Sequence, residues 1–246
     1  MSRRESSCKR QLVATLLGLW TFGLWIGSAP PASTEGFELE PLSPKEQQLV
    51  SDFRKLWFGR AAVFENRFIG VQTLQNPFDM WIIQELIYEV KPDYVVEAGT
   101  YYGGSSVLWA LFLTTVNPEG RVITIDIEDQ RLPRAKDHPI AKKQVDFLLG
   151  SSTAPEIVAQ VKERVKGKRT LFILDSLHTK EHVAKELEVY APLVTPGSYI
   201  IVQDTPVGPI HAVREFVAKD DRFVSDRSRE RFLITNSMEG YLKRVK

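Results

Sequence analysis

The sequence predicts an α/β fold in which a doubly wound, mostly parallel sheet is covered by helices on both faces and ends in an antiparallel edge strand. Short segments such as "DYVVEA" and "RTLFILDS" are apolar almost throughout. They alternate along the chain with segments that repeat apolar residues at helical spacing. Apolar strands separated by amphipathic helices are typical of a parallel sheet in a three-layer α/β/α arrangement.

The chain ahead of the first strand predicts two helices. In "SPKEQQLVSDFRKLWFG", Ser43 and Pro44 are residue types favoured at the N-cap and at the first helical position. In "NPFDMWIIQELIYEVKP", apolar residues recur at helical spacing until Pro92, which cannot continue a helix. We therefore expect two helices here, in the same domain as the strands that follow.

Strands and helices alternate from residue 93 onward. We expect strands at 93–98, 121–127, 145–151, 169–176 and 197–205, helices at 105–116, 154–165, 180–194 and 210–219, and a final antiparallel pair at 222–226 and 230–236.

Composition excludes several classes of protein. The formal net charge is +1, so the sequence predicts no nucleic-acid partner. The chain has one cysteine, Cys8, which rules out an internal disulfide framework and fits no cysteine-based metal site. An ordinary globular domain remains.

The first 35 residues differ in kind from the rest. Basic residues in "MSRRESSCKR" precede the uncharged stretch "QLVATLLGLWTFGLWIG", which "SAPPASTEG" ends. This order is typical of a secretory signal or a signal-anchor, and the length of the apolar stretch lies between the two. We expect residues 1–35 to anchor a domain of residues 36–246 to a membrane, or to export it. The positive-inside rule favours the far side of the membrane for that domain.

Acidic and polar residues gather where the predicted strands end. The carboxyl ends of parallel strands share one edge of a sheet, and ligands bind there in doubly wound folds. Several acids at one edge repel each other unless they bind hydroxyl groups or a cation, so the sequence predicts a binding site. The residues concerned are Glu97, Asp126, Ser151, Ser152, Asp175, Gln203 and Asp204.

A glycine-rich turn, "EAGTYYGG", joins the first of these strands to a helix. It lacks the G-x-G-x-x-G pattern of dinucleotide folds, which disfavours an NAD-type oxidoreductase. The acid ahead of the turn favours a cationic or hydroxylated ligand over a pyrophosphate. Asp126 follows Gly103 at about the ~20-residue interval of a ribose-binding carboxylate. In the alternative reading, Gly99 and Gly103 serve only turn geometry and close packing.

Asp175 and Asp204 end two strands that we expect to be neighbours. Two carboxylates, completed by water and substrate oxygens, suit Mg²⁺, although each acid could instead cap its own loop. His178 follows Asp175 by three residues and is a candidate general base, because imidazole titrates near neutral pH. A histidine in a loop can also be incidental.

Four segments together resemble one family. "VVEAGTYYGGSS", "VITIDI", "LDSLHTKEHVAKELEVYAPLVTPGSYIIVQDT" and "DRSRERFLITNSMEGYLKRV" are similar to the cephalosporin hydroxylase / rhamnosyl O-methyltransferase family. This family belongs to the class I methyltransferases. The resemblance implies a Rossmann-like sheet of seven strands, S-adenosylmethionine as cofactor, and O-methyl transfer with Mg²⁺ or another divalent cation.

The resemblance also implies roles for individual residues. His178 and Asp175 would be catalytic, and Asp175, Gln203 and Asp204 would hold the metal. His178 occupies the position at which related catechol-type enzymes carry a lysine base. The cofactor would contact Glu97, Gly99, Tyr101, Gly103, Ser105, Asp126, Ile127, Ser151, Ser152 and Asp175.

The sequence departs from the family pattern at two of the predicted site residues and at one residue beside His178. Gln203 stands where members commonly have an acid, Ser151 where they tend to have aspartate, and Leu177 where aspartate is frequent. These departures leave open a second hypothesis, a degenerate methyltransferase-fold module that binds a ligand or partner without catalysis.

The acceptor that we expect is a hydroxyl group of a glycan, a glycolipid or a small metabolite. The N-terminal apolar segment makes the membrane a further expected partner, and the chain could form a homo-oligomer. A domain outside the membrane would need S-adenosylmethionine on that side, so the side on which it lies stays open.

Overall fold

A computed structural model describes residues 41–246. Two very short strands, β1 (Arg67–Phe68) and β2 (Val71–Gln72), form an antiparallel ribbon. The central sheet contains β3 (Tyr94–Ala98), β4 (Arg121–Asp126), β5 (Val145–Leu149), β6 (Thr170–Leu174), β7 (Tyr199–Val202), β8 (Phe223–Ser225) and β9 (Tyr241–Arg244). Its order is β5-β4-β3-β6-β7-β9-β8. The predicted seven-stranded Rossmann-like sheet is therefore confirmed.

Three of the longer helices begin where the sequence supplies a capping side chain. Ser43 forms a capping box with Glu46, and the side chains of Asn76 and Thr179 accept backbone N–H groups at two further helix starts. These contacts satisfy donors that have no partner within the helix. The helices are α1 (Pro44–Gly59), α2 (Pro77–Val90), α3 (Gly104–Val116), α4 (Pro133–Lys136), α5 (Pro139–Gln144), α6 (Pro155–Val165), α7 (Lys180–Tyr190) and α8 (Ile210–Lys219).

The sheet separates two hydrophobic cores. Val96 and Ala98 of β3 face a core that contains residues of α6, α7 and α8. Val95, on the opposite face of the same strand, packs in a core with residues of α2 and α3. Because successive side chains of a strand point to opposite faces, a strand between two cores must be apolar on both sides. This explains the near-continuous apolar runs in the sequence.

The carboxyl ends of the central strands meet at one edge. β3 pairs in parallel with β4 on one side and with β6 on the other, and β6 pairs in parallel with β7. The chain moves outward from β3 to β4 and β5, and then crosses to β6. The strand order therefore reverses beside β3, and a ligand crevice is expected at that point.

The expected strand at 230–236 is wrong. Arg227–Glu230 is a short 3₁₀ helix, and the antiparallel strand is β9, which pairs with both β7 and β8. The carboxylate of Asp79 on α2 accepts hydrogen bonds from the hydroxyl of Thr235 at 2.6 Å and from the backbone N–H of Asn236 at 2.7 Å. These contacts hold the segment against the helix rather than in the sheet. The antiparallel strand consequently lies one position in from the edge.

The predicted membrane segment lies in the first 35 residues, outside the part of the chain that the structure describes. Within residues 41–246, no helix combines the length and the apolar character needed to span a bilayer. The expected division into residues 1–35 and 36–246 stays a prediction.

The turn after β3 leads to a test of packing. Gly99 has φ +96°, and a Cβ atom there would lie 1.9 Å from the carbonyl oxygen of Asp175. Gly167 has φ +71° with nothing within 4 Å of its Cβ position. We expect Gly167→Ala to cost only the left-handed backbone penalty, about 1–2 kcal/mol. Gly99→Ala adds overpacking and should cost about 3–5 kcal/mol. Urea unfolding measures both, and equal losses would contradict the close approach.

Candidate functional site

The structure brings most of the predicted site residues to the carboxyl edge of the sheet. Glu97 lies in β3, Asp126 ends β4, Asp175 follows β6, and Asp204 follows β7 two residues after its last member. Asp175 and Asp204 lie beside each other because β6 and β7 are neighbours. The expected adjacency of these two acids is thus confirmed.

Internal packing accounts for the glycines of the turn. Gly99 is pressed against the backbone of Asp175, and a Cβ atom on Gly104 would lie 1.9 Å from the carbonyl oxygen of Gln72. Gly103 has φ +81° and is the N-cap of α3. The reading of these glycines as turn geometry and close packing is therefore supported by observed contacts. Cofactor contacts at Gly99 and Gly103 stay predictions.

Asp126 ties the glycine turn to β4. Its Oδ2 accepts hydrogen bonds from the backbone N–H groups of Thr100 at 3.0 Å and Tyr101 at 2.8 Å. Its Oδ1 accepts only a long contact, 3.3 Å, from the N–H of Glu128. The residue therefore shapes the turn with one oxygen and keeps hydrogen-bonding capacity on the other. Tyr101, with φ +45°, stacks on Tyr102 at a ring-centroid distance of 3.8 Å.

Glu97 lies behind the turn rather than on its open side. Its side chain is fully buried, and it accepts hydrogen bonds from Trp109 Nε1 at 2.7 Å and Thr124 Oγ1 at 2.6 Å. Burial raises the pKa of Glu97 to about 7, against the opposing effect of the hydrogen bonds from Thr124, Ser105 and Trp109. Its visible role is to join β3, β4 and α3 beneath the turn.

His178 lies between the two acids at the centre of the site. Its Nε2 is 3.3 Å from Oδ1 of Asp175, and its Nδ1 is 3.4 Å from Oδ2 of Asp204. One ligand atom from each of the three residues can be chosen so that all lie within 4.8 Å of one another. A group of two carboxylates and an imidazole can hold a divalent cation or move a proton.

Burial shifts the titration of this cluster. Burial raises the pKa of Asp175 to about 6; the charge of Asp204 adds to this effect, while His178 and Gln75 oppose it. The pKa of His178 is raised, chiefly by its hydrogen bond to Asp175, although burial acts in the opposite direction. The charge of Asp204 contributes to both pKa shifts as a secondary cause, because a second carboxylate disfavours ionisation of Asp175 and favours protonation of His178.

Gln75 completes the site and was missed by sequence analysis. Its Nε2 donates to Asp175 Oδ2 at 3.1 Å and to Gln203 Oε1 at 2.9 Å, and its Oε1 accepts from Gln203 Nε2 at 2.9 Å. Both amides are almost fully buried. Gln75 lies 100 residues from Asp175 in a polar stretch without periodicity, so no local pattern could have identified it.

The loop after β7 holds Asp204 in an unusual backbone conformation. Asp204 has φ +50°, in the left-handed region that non-glycine residues rarely adopt, though aspartate does so more readily than most. Nearby, the buried carboxylate of Asp79 accepts hydrogen bonds from Thr235 and Tyr241. Burial raises the pKa of Asp79, and the charge of Asp204 adds to the effect. Asp79 was not among the predicted site residues.

The remaining predicted residues are dispersed around this centre. Ile127 is largely exposed beside Asp126, and Ser105 is nearly buried at the start of α3. Ser151 is half-buried and contacts Thr153. Ser152 belongs to a buried network in which its hydroxyl donates to Glu186 at 2.5 Å. Their contacts with a cofactor stay predictions.

Comparison with known proteins agrees with the family resemblance seen in the sequence. Residues 61–245 match the profile of the family described as Rhamnosyl O-methyltransferase/CmcI. The chain belongs to this family. The match confirms the family and the enzyme class that the sequence predicted.

Relatives within the rhamnosyl O-methyltransferase/CmcI family cover most of this chain. The rhamnosyl O-methyltransferase of Mycobacterium tuberculosis is 29% identical over 216 residues, covering 80% of this chain and 85% of that protein. The corresponding protein of Mycobacterium leprae is 29% identical over 215 residues, covering 80% and 90%.

Solved structures support the fold. The apo structure of CmcI-N160 has a TM-score of 0.60 at 20% identity, covering 74% of this chain and 76% of that one. The structure described as cmcI-D160 Mg-SAM has a TM-score of 0.57 at 18% identity, covering 74% and 78%.

The raised pKa of Glu97 predicts that the stability of the protein depends on pH. The folded-state pKa of about 7 lies above the usual value of Glu97, so the stability that this residue contributes is complete below pH 4.5 and is lost as the pH rises through 7. We expect Glu97→Gln to remove this loss, giving a gain of about 2–3 kcal/mol over wild type at pH 8 and little difference at pH 4.5. Thermal unfolding at both pH values measures it. Glu97→Ala, which leaves Trp109 without its acceptor, should destabilise at every pH.

Proposed function

We propose that this chain is an S-adenosylmethionine-dependent O-methyltransferase that acts, with Mg²⁺, on a hydroxyl group of a sugar-bearing acceptor. One observation carries the proposal. In a chain of this family, the Asp175–His178–Asp204 cluster lies at the carboxyl edge of the sheet, and the residue on which it is built, Asp175, contacts the glycine turn directly.

The residues around the turn fit the cofactor. Asp126 Oδ1 has a free lone pair for a ribose hydroxyl, since its hydrogen bond from Glu128 is long. Ile127, the next residue in the chain, and Tyr101, whose backbone N–H donates to Asp126, both expose apolar surface. A carboxylate beside apolar surface suits a nucleoside, in which a flat base adjoins a hydroxylated ribose.

The acids fit a divalent cation. Asp175 and Asp204 are crowded carboxylates that a cation would stabilise, and Gln203 adds a neutral amide oxygen. That oxygen already accepts from Gln75, so Gln203 would be the weakest of the three predicted ligands. The set suits magnesium, which takes few protein ligands and keeps several waters.

When bound, S-adenosylmethionine supplies an activated methyl group, and Mg²⁺ lowers the pKa of a hydroxyl that it contacts. The chain itself positions groups and moves a proton. His178 in its neutral form can keep one ring N–H on Asp175 or Asp204, and the other nitrogen must leave its carboxylate before it can accept the proton of the acceptor hydroxyl. Asp175 favours this transfer because it raises the proton affinity of the imidazole.

The location of the enzyme is part of the proposal. The apolar stretch within residues 1–35 supports attachment to a membrane by a single segment, or export. A membrane-attached enzyme of this kind would suit a glycan or glycolipid acceptor. The domain would lie on the side of the membrane where S-adenosylmethionine is present.

Cofactor binding is tested by calorimetric titration of the full chain with S-adenosylmethionine. We expect Asp126→Asn to weaken binding roughly tenfold or more, because an amide is a poorer acceptor for ribose hydroxyls than a carboxylate. Asparagine keeps an oxygen for the turn amides, so the fold should be retained. If the variant binds as wild type does, the assignment of Asp126 is wrong. If wild type binds the cofactor but methylates no sugar, the binding-module hypothesis gains support.

The acid cluster is tested by separating activity from stability. We expect Asp175→Asn to reduce methyl transfer by about 100-fold or more. The same variant should equal or exceed wild-type stability at pH 8, since the raised pKa of Asp175 means that its ionised form costs folding free energy. Activity with and without Mg²⁺, together with thermal unfolding, measures both.

Two matched histidine variants test whether His178 is the proton acceptor. His178→Gln should lower methyl transfer by about 100-fold, within the range of general-base catalysis, whereas His211→Gln on α8 should have little effect. Full activity in His178→Gln would remove the general-base role.

A further inference from the structure

A groove at the amino edge of the sheet, opposite to the acid cluster, collects positive charge. It has a volume of about 920 Å³ and lies between α6, residues 166–169 and residues 192–196. Glu163 is the only acid among the described residues that line it. Five cationic side chains line it, those of Lys162, Lys166, Lys168, Arg169 and Arg244.

These five cations form no ion pair within residues 41–246. Their neighbours at the same edge do, for Arg222 bridges Asp220 and Lys246 bridges Asp221. Arg169 and Arg244 donate to backbone carbonyl groups, which hold their side chains without neutralising them. Glu163 in the groove and Asp220 near Arg244 offset part of this charge, and a net positive charge remains.

The acid cluster and the cationic groove lie at opposite edges of the sheet. The net charge of the chain is only +1, so the groove is not part of a generally basic surface. The acids of the candidate active site occupy the carboxyl edge, and the groove lies where β6 and β7 begin. Such a separation of charge orients a molecule in an external field or at a charged surface.

The groove is also lined by apolar residues. They are Ala159, Val165, Pro192, Leu193, Val194 and Pro196. Lysine and arginine stems can lie along such a surface while their charged ends reach outward. A surface that offers several cationic side chains together with exposed apolar residues matches a layer of acidic headgroups above acyl chains better than it matches a small anion.

We propose that this groove docks the domain on a bilayer that contains acidic phospholipids, with the active site facing away from the lipid. Juxtamembrane lysine and arginine side chains are attracted to such surfaces within about a Debye length. The apolar segment expected within residues 1–35 would hold the domain near enough for this contact. The inference does not depend on methyl transfer.

The orientation sets a requirement on the acceptor. β6 has five residues and spans the sheet from the groove to Asp175, a distance of about 17 Å at the rise of a strand. A docked enzyme would therefore methylate a hydroxyl group held at least that far above the lipid surface, such as one on an extended headgroup.

Vesicle flotation of the full chain tests the proposal. The probes are vesicles of phosphatidylcholine and vesicles of phosphatidylcholine with an equal part of phosphatidylglycerol. Insertion of an apolar segment contributes to both, so the ratio of the two partition constants isolates the effect of acidic lipid. We expect the triple variant Lys162→Gln, Lys166→Gln, Lys168→Gln to lower this ratio by roughly 100-fold, about fivefold for each lysine.

A control triple removes the same charge elsewhere. Lys55→Gln, Lys180→Gln and Lys185→Gln change lysines that do not line the groove, and the ratio should stay within about twofold of wild type since these side chains would lie away from the lipid. Five of the six lysines are exposed and Lys180 is half-buried, so neither triple removes a core side chain and both variants should fold. Equal ratios for wild type and the groove variant would overturn the proposal, as would equal losses in the two triples. Binding that soluble inorganic pyrophosphate abolishes at constant ionic strength would point instead to a discrete phosphate site.

Discussion

The close approach of the turn after β3 to the end of β6 fixes the geometry on which the candidate site depends. Because Gly99 has no side chain, the backbone of the turn contacts the carbonyl group of Asp175. Asp175 in turn contacts His178 and Gln75, and through Gln75 the buried amide of Gln203. The proposed cofactor turn and the proposed metal site are therefore parts of one rigid unit. A shift at the turn would be transmitted directly to the acids.

The same unit concentrates charge at a cost in stability. The pKa values of Glu97, Asp175 and Asp79 are all raised, and burial is the first cause in each case. A carboxylate with a raised pKa opposes folding when it is ionised, so the molecule retains these acids against their effect on stability. For Glu97, hydrogen bonds from Trp109 and Thr124 offset part of the cost. For Asp175, the cluster itself supplies only His178 and a neutral amide as compensation, which is why a bound cation would stabilise the folded protein.

Sequence reasoning predicted those parts of the structure that local patterns determine. Apolar runs and helical spacing gave the parallel strands and the main helices, and the strand ends brought Asp126, Asp175 and Asp204 to one edge. It failed where a contact between residues far apart in the sequence determines the local structure. Residues 230–236 have a strand-like composition, but hydrogen bonds to Asp79, more than 150 residues away, draw them onto α2. Gln75 was missed for the same reason, since its importance rests on partners in two other segments.

The Gln75–Gln203 pair gives the departure from the family pattern a physical reading. A carboxylate at position 203 would be a third acid beside Asp175 and Asp204 in a buried setting, and it would face the carbonyl oxygen of Gln75. Glutamine avoids both repulsions, because its amide nitrogen donates to that oxygen while its own oxygen accepts from Gln75. The substitution therefore lowers the negative charge of the site without leaving a buried polar atom of either amide unpaired. A site with two carboxylates should hold a divalent cation more weakly than one with three, while it needs the cation less for folding. The change bears on metal affinity and leaves His178, the proposed proton acceptor, in place between Asp175 and Asp204.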